Sequence, residues 1–146
     1  MMVDKLYEAS QAGVDIDLVV RGNCSLVTDV PGVSDHIRIN AIIDRYLEHS
    51  RIFVFAAGGT EKVFIGSADW MPRNLDNRVE VVTPVYDPDI KEEMKRIVEY
   101  GLKDTLQGRI VDGTGDNEFH AIVDEQPFRS QEALYNYYVA KNEKEE

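Results

Sequence analysis

Apolar positions set a readable rhythm along the chain. Between Met2 and Ala12, Val3, Leu6 and Ala9 share one face, and Gly13 supplies a natural stop, so the opening segment predicts a helix. Val14 to Val20, VDIDLVV, alternates at first and then becomes continuously apolar, the pattern of a strand entering a covered sheet. Asn23 to Asp35 holds Pro31, Gly32 and scattered small residues and predicts a loop. Ile37 to Ile43 is strand-like, with Ile37, Ile39 and Ala41 on one side. After a short link at Tyr46 to His49, Arg51 to Ala57 and Lys62 to Gly66 predict the two arms of a hairpin turning at Gly58 to Thr60. Arg78 to Val85 predicts a further strand. Asp87 is placed to cap a helix from Ile90 to Leu106, striped by Ile90, Met94, Ile97, Val98 and Leu102. Gly108 to Gln126 is irregular, with a short strand at Arg109 to Val111. Ser130 is placed to cap a last helix reaching Asn142, with Leu134, Tyr137 and Tyr138 facing inward. The count predicts an α/β fold, a mixed sheet flanked by helices, in a single domain over residues 1–146.

Composition narrows the function classes. The net charge of −11 argues against nonspecific nucleic-acid binding. No apolar run is long enough to span a bilayer, and the opening residues carry acids where a signal peptide needs an apolar core. The single cysteine, Cys24, has no internal disulfide partner and reads as a small core residue. The charge is unevenly distributed. Residues 20–80 carry seven bases against eight acids, and residues 81–146 eight against fifteen. Six of the seven central bases are arginines, whose rigid fork grips phosphate or carboxylate, so an anion site is expected mid-chain.

The stretch IGSADWMPRN, residues 65–74, carries more polar chemistry than a turn requires. His49 and Arg51 sit two apart at the start of a strand and share a face. Ser67 and Asp69, also two apart, end the hairpin partner, so the four can meet at one end of the sheet. Gly66 permits close approach of a ligand or backbone. A helical turn after Ser67 would place it where unpaired N–H groups favour anions, with Arg73 one turn on. Donors and an imidazole around a concavity suit a phosphate chain, with His49 able to protonate a leaving oxygen. The plainer readings are a structural His49, an Asp69 that caps a turn or pairs with Arg73, and a Trp70 that anchors packing. Arg78 and Glu80 are read as pairing with neighbours, and His36 and His120 as structural. The spacing of the three histidines makes no metal site.

The segments IDLVVRGNCSL, SDHIRINAIIDRYLEHSRIFVF and VFIGSADWMPRNLDNRVEVVTPV together resemble the C-terminal catalytic domain of polyphosphate kinase, of the phosphohistidine type. The likeness runs to about Leu106 and, more loosely, through the last helix. It implies a phospholipase D-like half, with HSR standing for His-x-Lys and GSAD for Gly-Ser-x-Asn. It also implies reversible transfer of the ATP terminal phosphate to polyphosphate. Arg21 and His49 would be ATP or phosphate contacts, His49 being the second active-site histidine. The phosphorylated histidine would come from a preceding domain that this chain lacks, so the fragment alone is expected to be inactive. The resemblance further implies Mg²⁺, ATP or ADP and polyphosphate as ligands, the preceding domains as partners, and a homo-oligomer when intact. It implies a cytoplasmic location, with any membrane association made through the intact enzyme. Two rival readings are a phosphodiesterase or nuclease half-site using His49 as nucleophile, and a non-catalytic scaffold or oligomerisation domain. Arg51 in place of lysine and Asp69 in place of asparagine count against the first.

Overall fold

The computed structural model describes residues 2–22, 24–120 and 126–143. The chain divides into two compact units, one of Glu48–Val98 with Met2, the other of Val3–Leu47 and Glu99 onward.

The second unit is built on helix α1 (Met2–Gln11, entering this unit at Val3), strands β1 (Ile16–Val20), β2 (Ile37–Ile42) and β6 (Gly108–Arg109), and helix α4 (Ser130–Asn142). β1 runs parallel to β2, with Ile16 opposite Ile37 and Val20 opposite Ala41, and β6 pairs antiparallel on the other side of β2. A central strand in such a sheet is covered on both faces, and β2 is buried at every position except Arg38. Leu26, Ile37 and Ile39 form the core, with Val3, Leu6 and Tyr7 of α1 and Ile16, Leu18 and Val20 of β1 packed against them. Cys24 is half-buried and joins this cluster, as its reading as a core residue requires. Gly13 takes φ +83°, the left-handed conformation that ends α1 without a side-chain penalty.

Polar groups complete the second unit. Asn40 lies in the middle of β2 and is 5% exposed. Its amide donates to the Gly101 and Asp104 carbonyls at 2.8 and 3.0 Å, satisfying acceptors at the C-terminal end of the helix that precedes Asp104. Gly108 makes this possible, because a Cβ there would come within 2.3 Å of the Asn40 amide oxygen. Asp104 is 1% exposed and accepts four hydrogen bonds. They come from the Leu106 and Gln107 amides at 3.0 and 2.7 Å, and from the Ser130 amide and hydroxyl at 2.8 and 2.7 Å. Ser130 therefore does not cap α4 as its type and place suggest. Arg129 takes that position without a side-chain cap, and the Ser130 hydroxyl is given to Asp104. Arg129 in turn forks onto Asp44 at 2.6 and 2.9 Å, which holds the Asp44 carboxyl below the usual range.

The first unit is the antiparallel sheet β3 (Ile52–Phe55), β4 (Lys62–Gly66) and β5 (Val82–Val85), with the one-turn helix α2 (Pro72–Leu75) and most of α3 (Pro88–Leu102). Ile52 pairs with Ile65 and Phe55 with Lys62, so the hairpin register is the one its turn residues predict. Asp87 caps α3, accepting from the Asp89 and Ile90 amides at 2.9 and 3.1 Å. The strand expected from Arg78 begins only at Val82. At Val81 the ladder passes to a side chain: its N–H donates to the Ser67 hydroxyl at 3.1 Å, while its carbonyl accepts from the Ser67 amide at 3.0 Å. Among the described residues no helix is long and apolar enough to cross a membrane.

Asp104 is the polar hub of the second unit. Asp104→Ala is expected to lower stability by about 3 kcal/mol, because it removes the acceptor of the Gln107 and Ser130 amides and the Ser130 hydroxyl and one of two acceptors of the Leu106 amide. Urea denaturation of the two proteins reads this directly, and an unchanged midpoint contradicts it.

Candidate active site

The end of the β3–β4 hairpin brings together three of the residues singled out in the sequence. Arg51 lies immediately before β3, where its carbonyl accepts from the Gly66 amide at 2.9 Å. Its side chain is 17% exposed. The guanidinium donates through Nε to Asp69 Oδ1 at 3.0 Å, and a terminal nitrogen lies 3.0 Å from the same oxygen. The other edge of the fork faces His49. It lies 2.9 and 3.0 Å from Nδ1 and Nε2 of the ring and donates to the His49 carbonyl at 3.0 Å. A guanidinium only donates, and a neutral imidazole has one acceptor nitrogen, so a single ring contact is a hydrogen bond at any moment. The imidazole itself is exposed. The result is a chain Asp69–Arg51–His49 in which a fixed cation holds a histidine at the surface.

Ser67 sits beside this chain but is engaged elsewhere. Its hydroxyl donates to Glu80 Oε2 and accepts from Val81. Its amide is used by the Val81 carbonyl, so both donors of Ser67 are engaged within the fold. The short helix that was expected to begin near Ser67 starts only at Pro72, with Met71 as its flanking residue. Arg73 lies on that helix, exposed, and makes no ion pair with Asp69, which is taken by Arg51. Trp70 stacks on Phe53 at 5.3 Å and 8°, the packing role read for it. His36 is tied to Asp15 at 2.9 Å, which fits a structural histidine. Arg21 follows β1 in the second unit and is exposed.

The residues that sequence reasoning underrated are Glu80 and Asn74. Glu80 accepts from Ser67 and, through Oε1, from the Asn74 amide at 2.8 Å. Those bonds, helped by the positive charges of Arg78 and Arg51, hold its carboxyl below the ordinary glutamate value of 4.5. A polar residue inside the single helical turn after Pro72 was the available signal for Asn74. No group of three metal-ligating side chains occurs among the described residues. Asp69 is bonded to Arg51 and Glu80 to Ser67 and Asn74, so these two acids do not form a Mg²⁺ cage.

A polar hairpin end of this kind, on an α/β framework, matches one family along most of the chain. Residues 1–131 match the family described as polyphosphate kinase C-terminal domain 2, and the chain belongs to that family. It is 44% identical over 136 residues to the polyphosphate kinase of Escherichia coli strain K12, covering 93% of this chain and 20% of that protein. It is 58% identical over 106 residues to the polyphosphate kinase of Thermosynechococcus vestitus, covering 73% of this chain and 14% of that one. The crystal structure of polyphosphate kinase from Porphyromonas gingivalis superposes with a TM-score of 0.91 at 48% identity, over 98% of this chain and 22% of that chain. The chain thus spans about a fifth of the length of the Escherichia coli relative.

Because the Glu80 carboxyl is held low, its bonds stabilise the fold fully above the unfolded glutamate range and lose that effect as pH falls through the lower folded value. Thermal melts from neutral pH down into the acid range should show wild type losing stability relative to Glu80→Gln on the acid side only. Parallel curves contradict the assignment.

Proposed function

We propose that this chain is the C-terminal, phospholipase D-like domain of a longer polyphosphate kinase. It serves the reversible transfer of the terminal phosphate of ATP to polyphosphate. The observation that carries the reading is the Asp69–Arg51–His49 chain, found at the hairpin end of a member of this family. In the reaction the phosphoryl group passes through a histidine of a preceding domain, and this domain supplies electrostatics and proton handling. Phosphoryl transfer depends mainly on positioning and charge stabilisation. Arg51 offers a permanently charged fork whose place is set by Asp69. His49, exposed and steered by that fork, takes the role of acid or base toward the oxygen that leaves or attacks. Arg73 contributes further positive charge to the phosphates, and Arg21, in the other unit, is an ATP or phosphate contact on the family resemblance alone. Ser67 contributes by holding the corner, since its hydroxyl and amide are bonded within the fold.

ATP or ADP and polyphosphate are the substrates on this reading. The preceding domains are the partners, and the intact enzyme is a cytoplasmic homo-oligomer. Mg²⁺ belongs to the chemistry of the intact enzyme, and among the described residues no cluster of acids builds a site for it. On its own the chain folds, binds nucleotide or polyphosphate weakly at best, and turns nothing over.

In the longer enzyme, Arg21→Ala and His49→Ala should each lower turnover about a hundredfold or more with the fold retained. That is the effect of removing one well-placed donor, about 2.7–4 kcal/mol. Arg51→Ala should act in the same direction. Steady-state rates with ATP and polyphosphate, alongside circular dichroism, check this, and normal turnover in both Arg21→Ala and His49→Ala overturns the assignment.

A further inference from the structure

We propose that Asn74 and Glu80 are positioning residues for this site: Asn74 fixes Glu80, and Glu80 fixes the Ser67 hydroxyl that locks the glycine–serine corner beneath Arg51. The inference rests on the functional reading above and deepens it.

The bonds run in one continuous line. The Asn74 amide donates to Glu80 Oε1 at 2.8 Å, and the Ser67 hydroxyl donates to Glu80 Oε2. Ser67 accepts from the Val81 amide and donates its own amide back to Val81, closing a small ring between β4 and the approach to β5. One residue earlier, the Gly66 amide donates to the Arg51 carbonyl at 2.9 Å. A Cβ on Gly66 would lie 3.2 Å from the Val81 carbonyl oxygen, so the corner is packed close against the segment that Glu80 anchors. The position of Arg51, and through it of His49, therefore depends on the corner that Glu80 holds.

The case for function over plain stability comes from Asn74. It is 2% exposed, and its side-chain oxygen is buried without a hydrogen-bond partner among the described residues. Flipping the amide would turn that oxygen toward the Glu80 carboxylate, so Glu80 dictates the orientation. An aliphatic side chain would fill the place without a stranded oxygen, and burying such an oxygen is costly. What an asparagine adds, and a leucine cannot, is the donor aimed at Glu80.

The test uses the longer polyphosphate kinase for rates and the present chain for exchange, with Asn74→Ala, Glu80→Ala, Ser67→Ala and the Ser67→Ala/Glu80→Ala pair. Glu80→Ala removes a half-buried side chain at the rim and keeps the test alive should Asn74→Ala fail to fold. Turnover in Glu80→Ala should fall about tenfold or more, with the KM for ATP within about twofold of wild type. The paired variant should be no slower than the slower single, because both changes cut one line of action. Amide hydrogen exchange should quicken at Gly66 and Ser67 and stay unchanged in β1. Unchanged exchange at Gly66 and Ser67 overturns the proposal. So does unchanged turnover despite faster exchange, or losses that multiply in the pair. Should the wild-type enzyme show no transfer from ATP to polyphosphate, the functional reading fails on that result alone, and the exchange measurement still decides whether Asn74 and Glu80 hold the corner.

Discussion

A guanidinium with two tethers organises the hairpin end. Arg51 cannot lose its charge, and its side chain is largely withdrawn from water, so its placement has to be balanced by a carboxylate. Asp69 supplies that balance across the hairpin. With one edge committed to Asp69, the other edge can meet His49 only from one direction, and a surface imidazole acquires a defined orientation. Without Asp69 the fork would be free to swing, and His49 would be an ordinary solvent-exposed histidine.

The surrounding fold serves that arrangement. The β3–β4 register puts the Arg51 carbonyl against the Gly66 amide, so the backbone fixes where the guanidinium starts. Phe53 continues the same strand and stacks on Trp70, which steadies the loop between Asp69 and α2. Balanced charge also shapes the chemistry. Asp69 and Glu80 keep the corner from being a bare cationic pocket, and their bonds fix Arg51 and Ser67 in place. On the function proposed above, a preorganised site of this kind would avoid reorganisation during phosphoryl transfer.

Much of this was legible in the residues. The alternation in RIFVFAA and KVFIG, split by Gly58-Gly59-Thr60, encodes the hairpin, and its length places Arg51 near Gly66 and Asp69. His49 and Arg51, two apart, fall on one face for the same reason. The largely apolar run IRINAII marks the central strand of the other sheet, buried from Ile37 to Ile42 except at Arg38. What local pattern could not show was long-range bonding. Ser67 has the residue type of an anion donor, and only its contact with Glu80, thirteen residues later, reveals that it is engaged. Ser130 has the type and place of a helix cap, yet Asp104 claims it from twenty-six residues away. The strand expected from Arg78 starts late because a hydroxyl replaces a backbone partner at Val81, a substitution that periodicity does not record.

The most direct test of this account is to follow the His49 ring by NMR while inorganic tripolyphosphate is added to the longer polyphosphate kinase, in wild type and in Asp69→Asn. If the tethered fork makes His49 part of a phosphate site, the wild-type ring resonances move saturably with tripolyphosphate, and the movement is weaker in Asp69→Asn. A His49 ring that ignores tripolyphosphate, or responds identically in both proteins, contradicts the central claim.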